Sequence, residues 1–112
     1  MKIAIPLTAG RLSMHFGHCE EFALVDVDEK TREVSQMITL RPPGHQPGVL
    51  PQWLHEQGAS VIIAGGMGQR AQQLFAQNDI TVVIGASEQQ PKELVQAYVQ
   101  GALQTGDNIC DH

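Results

Sequence analysis

Two histidines and a cysteine crowd one short stretch, His15-Phe16-Gly17-His18-Cys19. Imidazole and thiolate are good ligands for soft and borderline metals. This stretch is therefore a candidate contact for a metal ion or a metal–sulfur cluster. The competing reading has His15 hydrogen-bonding its own loop and Phe16 plugging the core. Cys19 would then be a small buried hydrophobe, the commoner fate of a free cysteine. Cys110 and His112, two residues apart, make a second thiolate–imidazole group, set against the alternative of a frayed tail. His45, in a proline-rich loop, is a further possible ligand. The two cysteines lie far apart and form no CxxC pair. Four local thiolates for structural zinc or an iron–sulfur cluster are thus excluded within one chain.

A different chemistry, anion capture, is suggested by Gly65-Gly66-Met67-Gly68. A glycine turn lets a ligand approach the backbone, and a following helix offers unpaired N–H groups. The spacing is not a dinucleotide fingerprint, and no Gly-Lys-Ser/Thr follows to make a phosphate loop. Met67 either offers a thioether or covers the pocket. Gly85-Ala86-Ser87 is a second, weaker amide turn. Arg11, Arg41, His45 and Arg70 all fall in or near the same set of loops. They would place positive charge on one side of a molecule whose formal net charge is −5. That overall charge argues against nonspecific nucleic-acid binding, which depends on phosphate neutralisation.

The elements that must position these groups follow from the apolar pattern. The chain has 112 residues, 42% of them apolar, which suits one packed domain. No stretch approaches the roughly 20 apolar residues of a membrane span, and no leader pattern opens the chain. A cytoplasmic location is expected, with no membrane partner. Lys2–Leu7 reads as a first strand, and residues 8–18 as a loop. Phe22–Val27 and Glu33–Leu40 form an antiparallel hairpin with a bulge. Residues 41–48 carry three prolines and must be a loop. Helices follow at 49–57, 69–77 and 91–103, and buried strands at 60–64 and 80–84. The expected order is βββαβαβα, a mixed five-stranded sheet with spatial order 3-2-1-4-5. Right-handed crossovers then gather the candidate loops at one edge, beside the change in strand order. Residues 1–104 would form one α/β domain and 105–112 a polar tail.

Ser13-Met14-His15-Phe16-Gly17, followed by Phe22 and an apolar strand, resembles the opening signature of the dinitrogenase iron–molybdenum cofactor biosynthesis family. Gly65-Gly66-Met67-Gly68 resembles that family's second glycine turn, and the resemblance covers nearly the whole chain. It implies a ribonuclease H-like three-layer fold without the nuclease's acidic metal site. It also implies a carrier of an anionic metal–sulfur cluster: molybdenum–copper sulfide, as in the small orange protein, or iron–molybdenum cofactor or its iron–sulfur precursors. The large radical enzyme that carries such a domain needs a CxxxCxxC motif, which is absent.

The residues expected to hold the cluster are Arg11, Ser13, His15, Phe16, Gly17, Arg41, His45, Gly65, Gly66, Met67, Gly68 and Arg70. Metal contacts are expected from His15, His18, Cys19, His45, Cys110 and His112. No catalytic residue is expected, because the first and fourth strands hold no carboxylate for two-metal nuclease chemistry. No Ser–His–Asp arrangement follows from spacing either. The partners implied are the cluster and proteins that deliver or receive it. The alternatives are a regulatory or scaffold domain that binds a partner protein, and simple divalent-metal binding. The expected state is a monomer or weak dimer, since Arg32, Glu33 and Arg41 around the edge strand discourage self-pairing.

Overall fold

The computed structural model describes residues 1–44 and 48–106, apart from the side chain of His18. Its central strand is β1, Lys2–Thr8, buried from Ile3 to Leu7. β2 (Arg11–Leu12) folds back on β1, and a single 3-10 turn follows at Phe16–His18. Then come β3 (Glu21–Val27), β4 (Val34–Leu40), α1 (Val49–Glu56) and β5 (Val61–Ile63). α2 (Gln69–Gln77), β6 (Thr81–Val83) and α3 (Pro91–Val99) complete the fold. The sheet has six strands in the order β4-β3-β1-β5-β6, with β2 attached to β1.

Three expectations are corrected here. The sheet is six-stranded, not five-stranded, and residues 8–18 are not simply loop. Ala9 and Gly10 both take positive φ, 55° and 80°, so β1 turns tightly into β2 with Thr8 opposite Arg11. That is the backbone pattern of a two-residue hairpin turn, here without the Asn-Gly or Asp-Gly that announces it. The last helix ends at Val99 rather than Leu103, because Gly101 adopts φ +72°. The expected bulge is present: Asp26 pairs with Gln36 and Val27 with Val34, leaving Ser35 extra.

Helices cover both faces, giving three layers. On one face Ile3, Ile5, Val25 and Ile63 pack with Leu94, Val95 and Val99 of α3. On the other, Ala4, Leu24 and Ile62 pack with Leu50 and Leu54 of α1 and Phe75 of α2. This double burial explains why β5 is apolar at every position. β1, β5 and β6 are mutually parallel, and two antiparallel pairings return β4 to the direction of β1. The C-terminal ends of these four strands therefore share one edge. Among the described residues, no helix is long and apolar enough to cross a membrane.

Candidate functional site

The edge is built from backbone. The Ser13 N–H donates to the Pro6 carbonyl at 2.8 Å, and its buried hydroxyl donates to the His15 carbonyl at 2.9 Å. These two bonds hold the loop that presents His15. The Phe16 N–H donates to the Gly66 carbonyl at 3.2 Å, joining that loop to the first glycine turn. The Gly85 N–H donates to the Gly65 carbonyl at 2.8 Å, joining the first turn to the second. Finally the Gly106 N–H donates to the Gly85 carbonyl at 2.7 Å. Four segments distant in sequence thus form one hydrogen-bonded platform.

Two glycines are in close contact with neighbouring backbone, Gly85 most tightly. A Cβ on Gly65 would stand 3.1 Å from Met14 Cα, and one on Gly85 would collide with the Gly106 backbone. Phe16 pins the platform to the core, meeting the Phe22 and Phe75 rings edge-on at centroid distances of 6.1 and 5.4 Å.

The expected site residues are distributed unevenly over this platform. His15, Gly17, Gly68 and Arg70 are exposed at the edge, as is Arg11 on β2. His15 lines a shallow depression of about 300 Å³ with Thr8, Ser13, Met14 and Glu88. Thr8 and Glu88 carry no sequence signal for this role; only the fold brings them to His15. Gly65, Gly66 and Met67 are buried, and Met67 lies wholly within the core under α1 and α2. Its thioether is not exposed at the surface of the edge. Arg41 lines a different depression with Cys19, Glu20, Glu21 and Pro42, where two carboxylates accompany it. His45, Cys110 and His112 lie outside the described residues, as does the His18 side chain. The chain reaches Gly106 on the platform itself, so the tail starts from this edge.

The donor set can be tested against a bare metal ion. Cys19 is buried, and burial pushes its thiol up to about 11. It is therefore a neutral thiol near pH 7. Among the described residues no group of three or more His, Cys, Asp or Glu can hold a metal ion.

What the edge offers is uncapped amides. α1, α2 and α3 begin at Gly48, Gly68 and Gln90, and none has a side-chain cap hydrogen bond. α1 and α2 also have no acidic residue in their first turns. Helix N-termini without caps keep unpaired N–H groups and the positive end of the helix dipole. Because each helix follows a strand that ends here, all three N-termini lie along the same edge.

Comparison with known proteins agrees with this architecture. Residues 1–101 match the model of the family described as dinitrogenase iron-molybdenum cofactor. An uncharacterised protein of Methanocaldococcus jannaschii is 32% identical over 108 residues, covering 93% of this chain and 90% of that one. The crystal structure of PH0822 superposes with a TM-score of 0.84 at 29% identity, covering 95% of this chain and 96% of the other. The apo form of the orange protein from Desulfovibrio gigas superposes with a TM-score of 0.69 at 22% identity, covering 96% and 93%. At that identity the likeness is one of fold.

Proposed function

The chain belongs to the dinitrogenase iron–molybdenum cofactor family, a group related to non-catalytic metal–sulfur cluster carriers, and from that premise we propose that it binds and carries a preassembled anionic metal–sulfur cluster on this edge. The observation that carries the proposal is the set of three helix N-termini without side-chain caps, ranged along one edge of an acidic protein. A bare cation gains nothing from such amides. An anionic cluster, with its charge spread over several sulfides, gains from each N–H and from the exposed Arg11, Arg70 and His15. Gly65, Gly66 and Gly68 contribute backbone, and Ser13, Phe16 and Gly17 hold the His15 loop in place. Arg41 contributes from the neighbouring depression. Residues 1–104 act as the binding domain, with the 105–112 tail supplying further contacts from Cys110 and His112.

Molybdenum–copper sulfide is the preferred cargo, with iron–molybdenum cofactor or its iron–sulfur precursor next. Cargo of this kind leaves the protein intact on release, as a cytoplasmic carrier between partner proteins requires. Simple divalent-metal binding would have to draw on His18, His45, Cys110 or His112, since the described residues hold no three-ligand group.

The test is reconstitution with tetrathiomolybdate and copper, or with isolated iron–molybdenum cofactor, followed by desalting and visible absorption. One cluster per chain should remain, and it should be displaced by high salt, since capture is largely electrostatic. Removing both cysteines should leave capture in place. A protein that emerges colourless from both reconstitutions would overturn the cluster assignment.

A further inference from the structure

The chain has four methionines, and they lie in four different settings. Met67, in the glycine turn, is wholly buried in the core. Met1 lies at the opposite end of the sheet, in a depression with Val27 and Val99. Met37 is on the outermost strand, β4. Met14 is half-buried and lines the depression of about 300 Å³ at the platform edge. A Cβ placed on Gly65 would stand 3.1 Å from the Met14 Cα and 3.3 Å from its Sδ. The Met14 thioether therefore lies against the turn that runs from Gly65 to the α2 N-cap, Gly68.

His15 lines the same depression. Consecutive side chains of a straight extended chain point to opposite sides. Here the chain bends at Met14 and His15, and both residues border one hollow. The bend is fixed from three directions. Before it, the Ser13 N–H donates to the Pro6 carbonyl, and after it the Phe16 N–H donates to the Gly66 carbonyl. Across it, the Ser13 hydroxyl donates to the His15 carbonyl. A ligand that takes both side chains thus meets a backbone already in place, and little further freedom is lost on binding.

We propose that Met14 and His15 form a binding site for a single cuprous ion at the rim of this depression. A neutral thioether is a poor donor to hard or strongly hydrated cations and a good one to Cu(I), and imidazole suits the same metal. A structural zinc ion takes about four ligands, and the described residues hold no group of three His, Cys, Asp or Glu. Cu(I) is satisfied by about two or three soft donors, one of which is here a methionine. The Glu88 carboxylate, on the same depression, places a negative charge near the monocation. The site does not rest on the carrier reading. Where a cargo contains copper, the same two donors would contact that copper beside the α2 N-terminus.

The test uses copper without sulfide. Cu(I), kept reduced with ascorbate under argon, is titrated into the full chain carrying Cys110→Ala, in competition with the chelator bicinchoninate. One ion per chain should be held. Met14→Leu preserves the cover over Gly65 and removes the sulfur, so urea stability should be nearly unchanged. Its Cu(I) affinity should fall by roughly tenfold or more, while its weak uptake of Zn(II) stays the same. In the chain with Met14 intact, NMR of the methionine methyl groups should show the Met14 signal alone moving on addition of Ag(I), a redox-inert substitute for Cu(I). Equal Cu(I) affinity in Met14→Leu overturns the proposal. So does a Met14 methyl that stays in place, or movement of a different methionine instead. A chain that binds Cu(I) through Met14 but retains no cluster removes the carrier reading alone. A chain that retains the cluster with Cu(I) affinity indifferent to Met14 removes this site alone.

Discussion

The two ends of the strands are finished in opposite ways. At the end where α1, α2 and α3 terminate, side chains close the backbone. The Lys2 ammonium donates to the Gln57 carbonyl at 3.1 Å, just past α1. The Asn78 amide donates to the Leu74 carbonyl of α2 at 2.8 Å, and Arg32 donates to Val99 of α3. Asp28 there accepts from the Lys30 and Thr31 N–H groups at 2.8 and 3.1 Å. At the other end, among the described residues, the N-cap residues Gly48, Gly68 and Gln90 make no side-chain cap hydrogen bond. A cap is worth about 1 kcal/mol, and Ser, Thr, Asp or Asn supplies it readily. Gly48 and Gly68 cost only a few tenths of a kcal/mol against such a cap, and they leave the first-turn N–H groups open to the anion of the proposed function. The contrast separates a finished end from a receptive one.

The sharpest way to break that contrast is to damage the receptive platform alone. Gly85 has φ +83°, and a Cβ there would lie 2.1 Å from the Gly106 carbonyl oxygen. Gly85→Ala should cost roughly 2–3 kcal/mol, from left-handed backbone strain and displacement of residue 106. Urea unfolding measures the first effect, and loss of cluster after desalting measures the second. A variant with full stability and full cluster retention would mean that the platform is not as tightly closed as its hydrogen bonds imply.

Arg32→Ala probes the finished end. Removing the charge and hydrogen bond at the α3 C-terminus should cost about 0.5–1 kcal/mol. Cluster retention should not change, because Arg32 lies at the opposite end of the strands. A comparable loss of cluster in this variant would erase the distinction between the two ends.

Cys19 sharpens the comparison by chemistry. Its raised thiol pKa of about 11 keeps it protonated at neutral pH. Alkylation by iodoacetamide in the Cys110→Ala background should therefore be slow at pH 7 and accelerate only in strongly alkaline solution. Since the folded pKa lies above the unfolded one, the burial contribution is fully present below about pH 9 and is lost as pH rises through 11. Rapid modification at neutral pH would mean that the Cys19 thiol is neither buried nor neutral in solution.

Much of this architecture is legible in the residues, for a physical reason. Buried strands and amphipathic helices announce themselves by apolar spacing, so α2 begins and ends where its pattern does, at Gln69 and Gln77. The β2 hairpin is not legible because Ala9 occupies a left-handed position that local sequence would assign to Asn or Gly. The truncated α3 is hidden because Ala102 and Leu103 continue its apolar pattern past Gly101. At the site, glycine turns and His15 stand out by residue type. Which groups meet there does not: Met14 against Gly65, Glu88 beside His15 and Gly106 on Gly85 are long-range contacts. The same is true of Arg41, whose depression with Glu20 and Glu21 separates it from His15.

The smallest expected effect is a pH dependence confined to the finished end. The Thr31 and Lys30 N–H groups, in that order of influence, hold the Asp28 carboxyl below its ordinary value of 3.8. A carboxyl whose folded pKa is depressed contributes stability that is complete above the unfolded value. That contribution fades as pH falls from 3.8 through the lower folded value. Asp28 is fully exposed, so the contribution is modest and sensitive to salt. Asp28→Asn should flatten only this acid limb of the stability curve and leave stability at neutral pH lower by the amount removed. Carboxyl chemical shifts followed by NMR give the titration directly. If Asp28 titrates at the ordinary value, the turn at residues 28–31 is held by something other than its two amide bonds, and one of the closures that define the finished end is lost.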